Sequence, residues 1–275
     1  MGSGLQHRRP ADPAADEPAA GSLRPPLRRP SGLKRFWRRT RLTLHLLAGL
    51  ATAVTVFPFS GVDTRRTLRQ RWSQRLLDIL GIDLRASGAA IAPGTMLVAN
   101  HVSWIDIFVV NAIAPAAFIS KAEVRKWPAI GWLAAKNETV FLQRGSRGHA
   151  RIIGGEIGRA LQAGSTVALF PEGTTTDGSH VLHFHAALLQ PALDTGSPIQ
   201  PLALRYRDAH GQFTRAAAYY GEMSLLECIG NIVSEPSIVA EVEILPAEVH
   251  PPELDRRPLA NALQARIAGH VIEGA

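Results

Sequence analysis

At 275 residues with 46% hydrophobic content, the chain is long enough to bury one sizeable core, and it carries a net charge of +7. Its single cysteine, Cys228, excludes an internal disulfide framework and suits a reducing compartment. The positive charge is local: residues 31–80 hold ten basic side chains against two acidic ones, while residues 81–275 sum to −3. Such a patch suits an anionic membrane surface or nucleic acid. Here the arginines flank an apolar run and no nucleic-acid module is recognisable, so nucleic acid is not an expected partner.

In chain order, residues 1–30 are rich in Pro, Ala and Arg without apolar periodicity, and read as a disordered tail rather than a secretory signal. Residues 42–59 follow as a run whose only ionisable side chain is His45. As a helix its eighteen residues would extend about 27 Å, slightly less than a hydrocarbon core, and Pro58 marks its end. Residues 64–80 place Leu68, Trp72, Leu76, Ile79 and Leu80 roughly on one helical face with arginines opposite. Residues 31–82 are therefore expected to form a membrane-associated element, an embedded or re-entrant helix followed by an interfacial one. Both flanks would then be cytoplasmic. A single true span is the alternative reading.

Residues 83–275 alternate short apolar runs with longer helical ones. Expected strands are 95–99, 116–120, 140–142, 166–170, 199–205, 216–220 and 238–245; expected helices are 103–112, 146–163, 185–194, 224–233 and 257–272. That pattern predicts a single α/β domain with a largely parallel or mixed central sheet flanked by helices.

The chemistry concentrates in Asn100-His101-Val102-Ser103-Trp104-Ile105-Asp106 and in Phe170-Pro171-Glu172-Gly173-Thr174. Imidazole accepts and releases a proton near neutrality, and a carboxylate in reach can orient it. No Gly-x-Ser-x-Gly elbow accompanies the pair. A base without its own nucleophile suggests activation of a hydroxyl on the substrate, which is direct acyl transfer. Asp106 also fits a plain helix cap, Ser103-x-x-Asp106, and the two roles are compatible. Arg144 offers a guanidinium fork to an anion. His180, His183 and His185 lie close enough in sequence to suggest zinc.

The two blocks resemble the His-x4-Asp and Phe-Pro-Glu-Gly-Thr signatures of the glycerolipid acyltransferases, the family of bacterial 1-acyl-sn-glycerol-3-phosphate acyltransferases. Phe141-Leu142-Gln143-Arg144 and Pro198-Ile199-Gln200-Pro201 are similar to two further blocks of that family, in order over residues 95–206. The resemblance implies catalysis by His101 with Asp106, and acceptor binding by Arg144, Glu172, Gly173 and Thr174. It implies transfer of a fatty acyl group from acyl-CoA or acyl carrier protein, as co-substrate and without a cofactor, to a lysolipid hydroxyl. The chemistry of that family needs no metal, so none is expected at the three histidines. The setting would be the cytoplasmic face of the inner membrane, in phospholipid biosynthesis. The first expected acceptor is 1-acyl-sn-glycerol-3-phosphate, giving phosphatidate. Thr175 departs from the arginine of many phosphatidate-forming members and brings lyso-ornithine lipid forward as the alternative. A membrane esterase and a non-catalytic lipid-binding protein are the remaining readings.

Overall fold

The computed structural model describes residues 29–121, 140–142 and 147–272. Its helices are α1 (Gly32–Thr55), α2 (Val62–Leu80), α3 (Asp106–Ile113), α4 (Arg147–Gln162), α5 (Gln190–Thr195), α6 (Leu225–Ser234) and α7 (Arg256–Ile272). The strands are β1 (Ile82–Gly88), β2 (Met96–Ala99), β3 (Ala117–Lys121), β4 (Val140–Leu142), β5 (Val167–Leu169), β6 (Ile199–Asp208) and β7 (Ile238–Ile244). They form one sheet in the order β1-β7-β6-β2-β5-β3-β4, parallel throughout except where β6 meets β7. This is the mixed, largely parallel sheet that the alternation predicts. Residues 1–28, which carry almost all of the expected tail, lie outside the described residues.

Both faces of the sheet are covered, which explains why its inner strands are continuous apolar runs. Along β2, Leu97 and Ala99 point into a core shared with α2, α3 and α6. Met96 and Val98 point the opposite way, into a core closed by α4, α5 and α7. The alternation follows from the two-residue period of a strand.

Two expectations need correction. Residues 216–220 are not a strand: the Ala218 N–H turns back to the Arg215 carbonyl at 3.0 Å, and the Tyr219 N–H bonds the Val102 carbonyl at 2.9 Å. Their apolar character reflects the burial of Ala217 and Ala218 beneath the site loops. Conversely, β1 went unforeseen because it is an edge strand with an exposed Asp83–Arg85 pair and little alternation. The helix expected at 185–194 divides into a 3-10 turn (Ala186–Leu189) and α5. Pro191 at the start of α5 explains the break, since it lacks the N–H that a continuous helix would need.

The N-terminal helices also differ from expectation in which one faces outward. The apolar side of α2 is not interfacial. Leu76, Leu77, Ile79 and Leu80 are buried in the core, while Gln70 and Gln74 donate to the last carbonyls of α3. Even Arg69 is buried, donating to the Ala116 carbonyl at 3.2 Å. Helix α1 lies on this layer along its length through Arg38, Leu42, His45, Gly49 and Ala53, a helical spacing of three and four. Arg38 donates to the carbonyls of Val233, Glu235 and Pro236 at and just beyond the end of α6. His45 stacks on Trp72 with ring centroids 4.6 Å apart. The opposite side of α1, with Leu33, Phe36, Trp37, Leu44, Leu47 and Val54, is more than half exposed.

Gly49 permits that docking, because a Cβ there would stand 2.5 Å from the Trp72 indole nitrogen. Gly49→Leu should weaken the α1–α2 contact by about 1–3 kcal/mol through overpacking. Limited proteolysis would show faster cleavage within α1, with the body otherwise folded.

Candidate active site

Strands β2 and β5 are parallel neighbours in register from Met96↔Val167 to Val98↔Leu169. Their C-terminal ends are therefore side by side, although about seventy residues separate them in sequence. The first end leads into Asn100-His101 and the second into Phe170-Pro171-Glu172. Loops beyond the carboxyl ends of parallel strands are where α/β sheets place their sites. Asn100 is buried and closes the β2 end against β6, with its amide donating to the Leu204 carbonyl and accepting the Leu204 N–H.

His101 and Asp106 are brought together. The His101 Nδ1 lies 2.8 Å from Asp106 Oδ2. That same oxygen accepts the N–H groups of Val102 at 2.7 Å and Ser103 at 2.9 Å. The second oxygen, Oδ1, accepts the Tyr206 hydroxyl at 2.6 Å. Asp106 is fully buried and these neighbours are all donors, so an ionised carboxylate is the form that satisfies them. Nδ1 then carries the imidazole proton and donates it to Asp106. Nε2 is the ring atom with a lone pair to offer. The ring is held flat on Phe170, with centroids 4.1 Å apart and planes within 6°.

The expected Ser103 cap is replaced by a different device. Helix α3 begins at Asp106 itself, and its carboxylate reaches back to the two N–H groups preceding the helix. The carboxylate that meets His101 thus also fixes the loop leading into α3. Glu172 acts as a staple between loops, its Oε1 accepting the His101 N–H and its Oε2 the Leu182 N–H, both at 2.7 Å. Gly173 turns the chain with a φ of 67°, a left-handed conformation that favours glycine. Thr174 is exposed at the rim, whereas Thr175 donates its hydroxyl to the Tyr219 carbonyl. The position expected to carry acceptor contacts at Arg144 lies outside the described residues. Among the described residues no group of three metal-binding side chains converges, and the rings of His183 and His185 stand 6.4 Å apart, edge to face.

Burial sets the electrostatics of the site. It raises Glu172 to about 7, with a further push from the nearby Asp106 charge, against the two backbone N–H bonds that favour the ionised form. Burial and then the same Asp106 charge hold the Tyr206 hydroxyl well above the usual phenol range, so it remains a neutral donor. Cys228 is a core residue beside the Ala217 and Ala218 carbonyls, and burial pushes its thiol upward as well. The sequence blocks contain Asn100 and Phe170 without pointing to a role for either, and they do not contain Tyr206. The only trace of Tyr206 was a phenol between two arginines in an apolar strand.

Glu172 gives the fold a pH signature. Between about 4.3, the ordinary glutamate value, and about 7, the folded chain retains a proton that the unfolded chain releases. Its contribution is fully present below that window and lost as pH rises through it. The stability of the wild type relative to Glu172→Gln should therefore fall from pH 4.5 to pH 7.5, by roughly 1–3 kcal/mol. Urea unfolding of both proteins at the two pH values reads this difference; a gap that widens in favour of the wild type contradicts it.

Comparison with known proteins places the chain in a family. The family model described as Acyltransferase matches residues 84–205. A lyso-ornithine lipid O-acyltransferase from Pseudomonas aeruginosa is 39% identical over 204 residues, covering 74% of this chain and 78% of that protein. A 1-acyl-sn-glycerol-3-phosphate acyltransferase from Neisseria gonorrhoeae is 35% identical over 199 residues, covering 72% and 77% respectively. The crystal structure of the 1-acyl-sn-glycerophosphate acyltransferase PlsC from Thermotoga maritima shares the fold, with a TM-score of 0.60 at 23% identity over 86% of this chain and 97% of that one. With relatives matched over most of their length and the family model lying across β2, β5 and the loops that bear His101, Asp106 and Glu172, this chain belongs to the acyltransferase family.

Proposed function

We propose that this chain is a membrane-associated O-acyltransferase that moves a fatty acyl group from a thioester of coenzyme A or acyl carrier protein to the free hydroxyl of a lysolipid. The observation that carries the reading is the His101–Asp106 couple at 2.8 Å, with Nδ1 spent on the carboxylate. His101 Nε2 takes the proton from the acceptor hydroxyl, whose oxygen attacks the thioester carbonyl. The tetrahedral adduct collapses with cleavage of the C–S bond, and the imidazolium returns the proton to the departing sulfur. Asp106 supports the imidazolium while it exists. No acyl-enzyme forms, and the steps call on no metal or cofactor. Glu172 holds the His101 backbone, and Gly173 and Thr174 shape the rim beside it.

The first acceptor is 1-acyl-sn-glycerol-3-phosphate, giving phosphatidate. A second, lyso-ornithine lipid, is favoured by one observation. Thr175 supplies no cation, and its hydroxyl is already committed to the Tyr219 carbonyl. Membranes containing wild type or His101→Ala, given labelled acyl thioester and a panel of lysolipids, distinguish the two. Transfer should fall by at least 10²-fold in the variant. His101-dependent product from lysophosphatidate supports the first acceptor, and product confined to lyso-ornithine lipid supports the second. Free fatty acid released without any lysolipid would instead make the protein an esterase.

Membrane contact is assigned to the outer side of α1 at the cytoplasmic face of the inner membrane. A helix docked to the body along its whole inner side is suited to lying in the interface rather than standing across a bilayer. Its apolar stripe supplies insertion, and the exposed arginines of residues 31–80, unlike the buried Arg38 and Arg69, add roughly 1 kcal/mol each near anionic lipid. Replacing Phe36, Leu44 and Leu47 together by Glu should move the protein from floating liposomes to the soluble fraction while leaving the body folded. Unchanged flotation of that variant sinks this assignment.

A further inference from the structure

We propose that Tyr206 is a positioning residue for acyl transfer: its hydroxyl fixes the Asp106 carboxylate in the plane that His101 requires. The inference rests on the reading of His101 as the base. Three of the four donors on Asp106 converge on one oxygen, Oδ2, and all three come from residues 101–103. Donors gathered on one oxygen and drawn from one short segment set the position of that oxygen. They leave the second oxygen free to turn about it. Tyr206 donates to that second oxygen at 2.6 Å, from a strand one hundred residues further along the chain.

The strand is well placed to hold a fixed point. Leu202, Leu204 and Tyr206 alternate on the same side of β6, and Leu202 is in register with Ala99 at the end of β2. Leu204 is clamped at both its N–H and its carbonyl by the Asn100 side chain. The histidine loop and the tyrosine are thus tied to one pair of strands. Tyr206 is 3% exposed and Asp106 fully buried, so water does not compete for this bond. Among the described residues, the other titratable groups facing the pair are His101, Glu172 and Cys228. Glu172 is engaged with backbone N–H groups, and the Cys228 thiol lies against the Ala217 and Ala218 carbonyls. Among the described residues, Tyr206 is the side-chain hydroxyl that touches the carboxylate.

Two consequences separate positioning from mere packing. Without the hydroxyl the carboxylate gains freedom to turn, so the imidazole loses its aim and kcat falls. The negative charge that Tyr206 had shared then falls more heavily on the imidazole, which favours the imidazolium and moves the acid limb of the kcat/KM profile to higher pH. Tyr206→Phe keeps the ring and removes only the oxygen. It should lower kcat about 10- to 100-fold, in the range of other groups that orient a functional side chain. KM for acceptor and thioester should be unchanged. A 3-fluorotyrosine at position 206 donates more strongly at nearly the same size and should move the acid limb the other way.

Full-length protein in detergent, assayed per folded molecule with the acceptor identified above, reads both. A kcat loss with oppositely displaced acid limbs establishes the role. A lowered melting temperature with kcat per folded molecule and the acid limb unchanged overturns it. If Tyr206→Phe does not fold, the fluorotyrosine profile alone decides, and an unmoved limb overturns the proposal. Retained transfer in His101→Ala would instead remove the base reading beneath it, and the two failures are distinguishable.

Discussion

A buried anion dictates the architecture of this site. Taking the Asp106 carboxylate out of water without compensation would cost more than a domain of this size has to spare. The fold compensates with donors from three sources: the backbone just before α3, the imidazole of His101 and the phenol of β6. Each donor also has its own position fixed by the bond it makes. Residues 100–106 consequently have little freedom, and the histidine ring is held by chemistry at one edge and by Phe170 across one face. One charge thus shapes the loop before a helix and sets a tautomer.

The second carboxylate plays a different part in the neighbouring loop. Asp106 faces an imidazole, while Glu172 faces two backbone N–H groups that belong to separate loops. Burial together with the neighbouring negative charge makes the ionised form of Glu172 costly, which is the reason for its raised proton affinity. A group tied to backbone at both oxygens is suited to holding loops in place, and a group tied to an imidazole is suited to assisting proton transfer. Their environments, more than their shared chemical type, separate the two roles.

The N-terminal helices show the same logic at larger scale. Helix α2 is structurally part of the body because its leucines complete the core on one side of the sheet. Helix α1 is partitioned along its length, with Arg38, His45 and Gly49 turned to the body and Phe36, Leu44 and Leu47 turned away. A protein whose acceptor is a lipid needs a surface that meets the bilayer without giving up its own packing. A one-sided helix meets both demands.

Some of this was written in local sequence. The alternation of apolar runs announced the α/β class, and the strands near 95–99, 140–142, 166–170, 199–205 and 238–245 were readable because their periodicity is local. His101 and Asp106 stood out by chemistry and spacing, since a histidine five residues before an aspartate needs only one turn of chain to meet it, while Glu172 stood out through the family resemblance of its motif. What the sequence could not convey depends on which strands become neighbours. The pairing of β2 with β5 brings Glu172 beneath His101, and the pairing with β6 brings Tyr206 to Asp106. The misread strand at 216–220 and the inward turn of α2 have the same origin. Periodicity reports that a side chain is buried, but only tertiary packing decides what buries it.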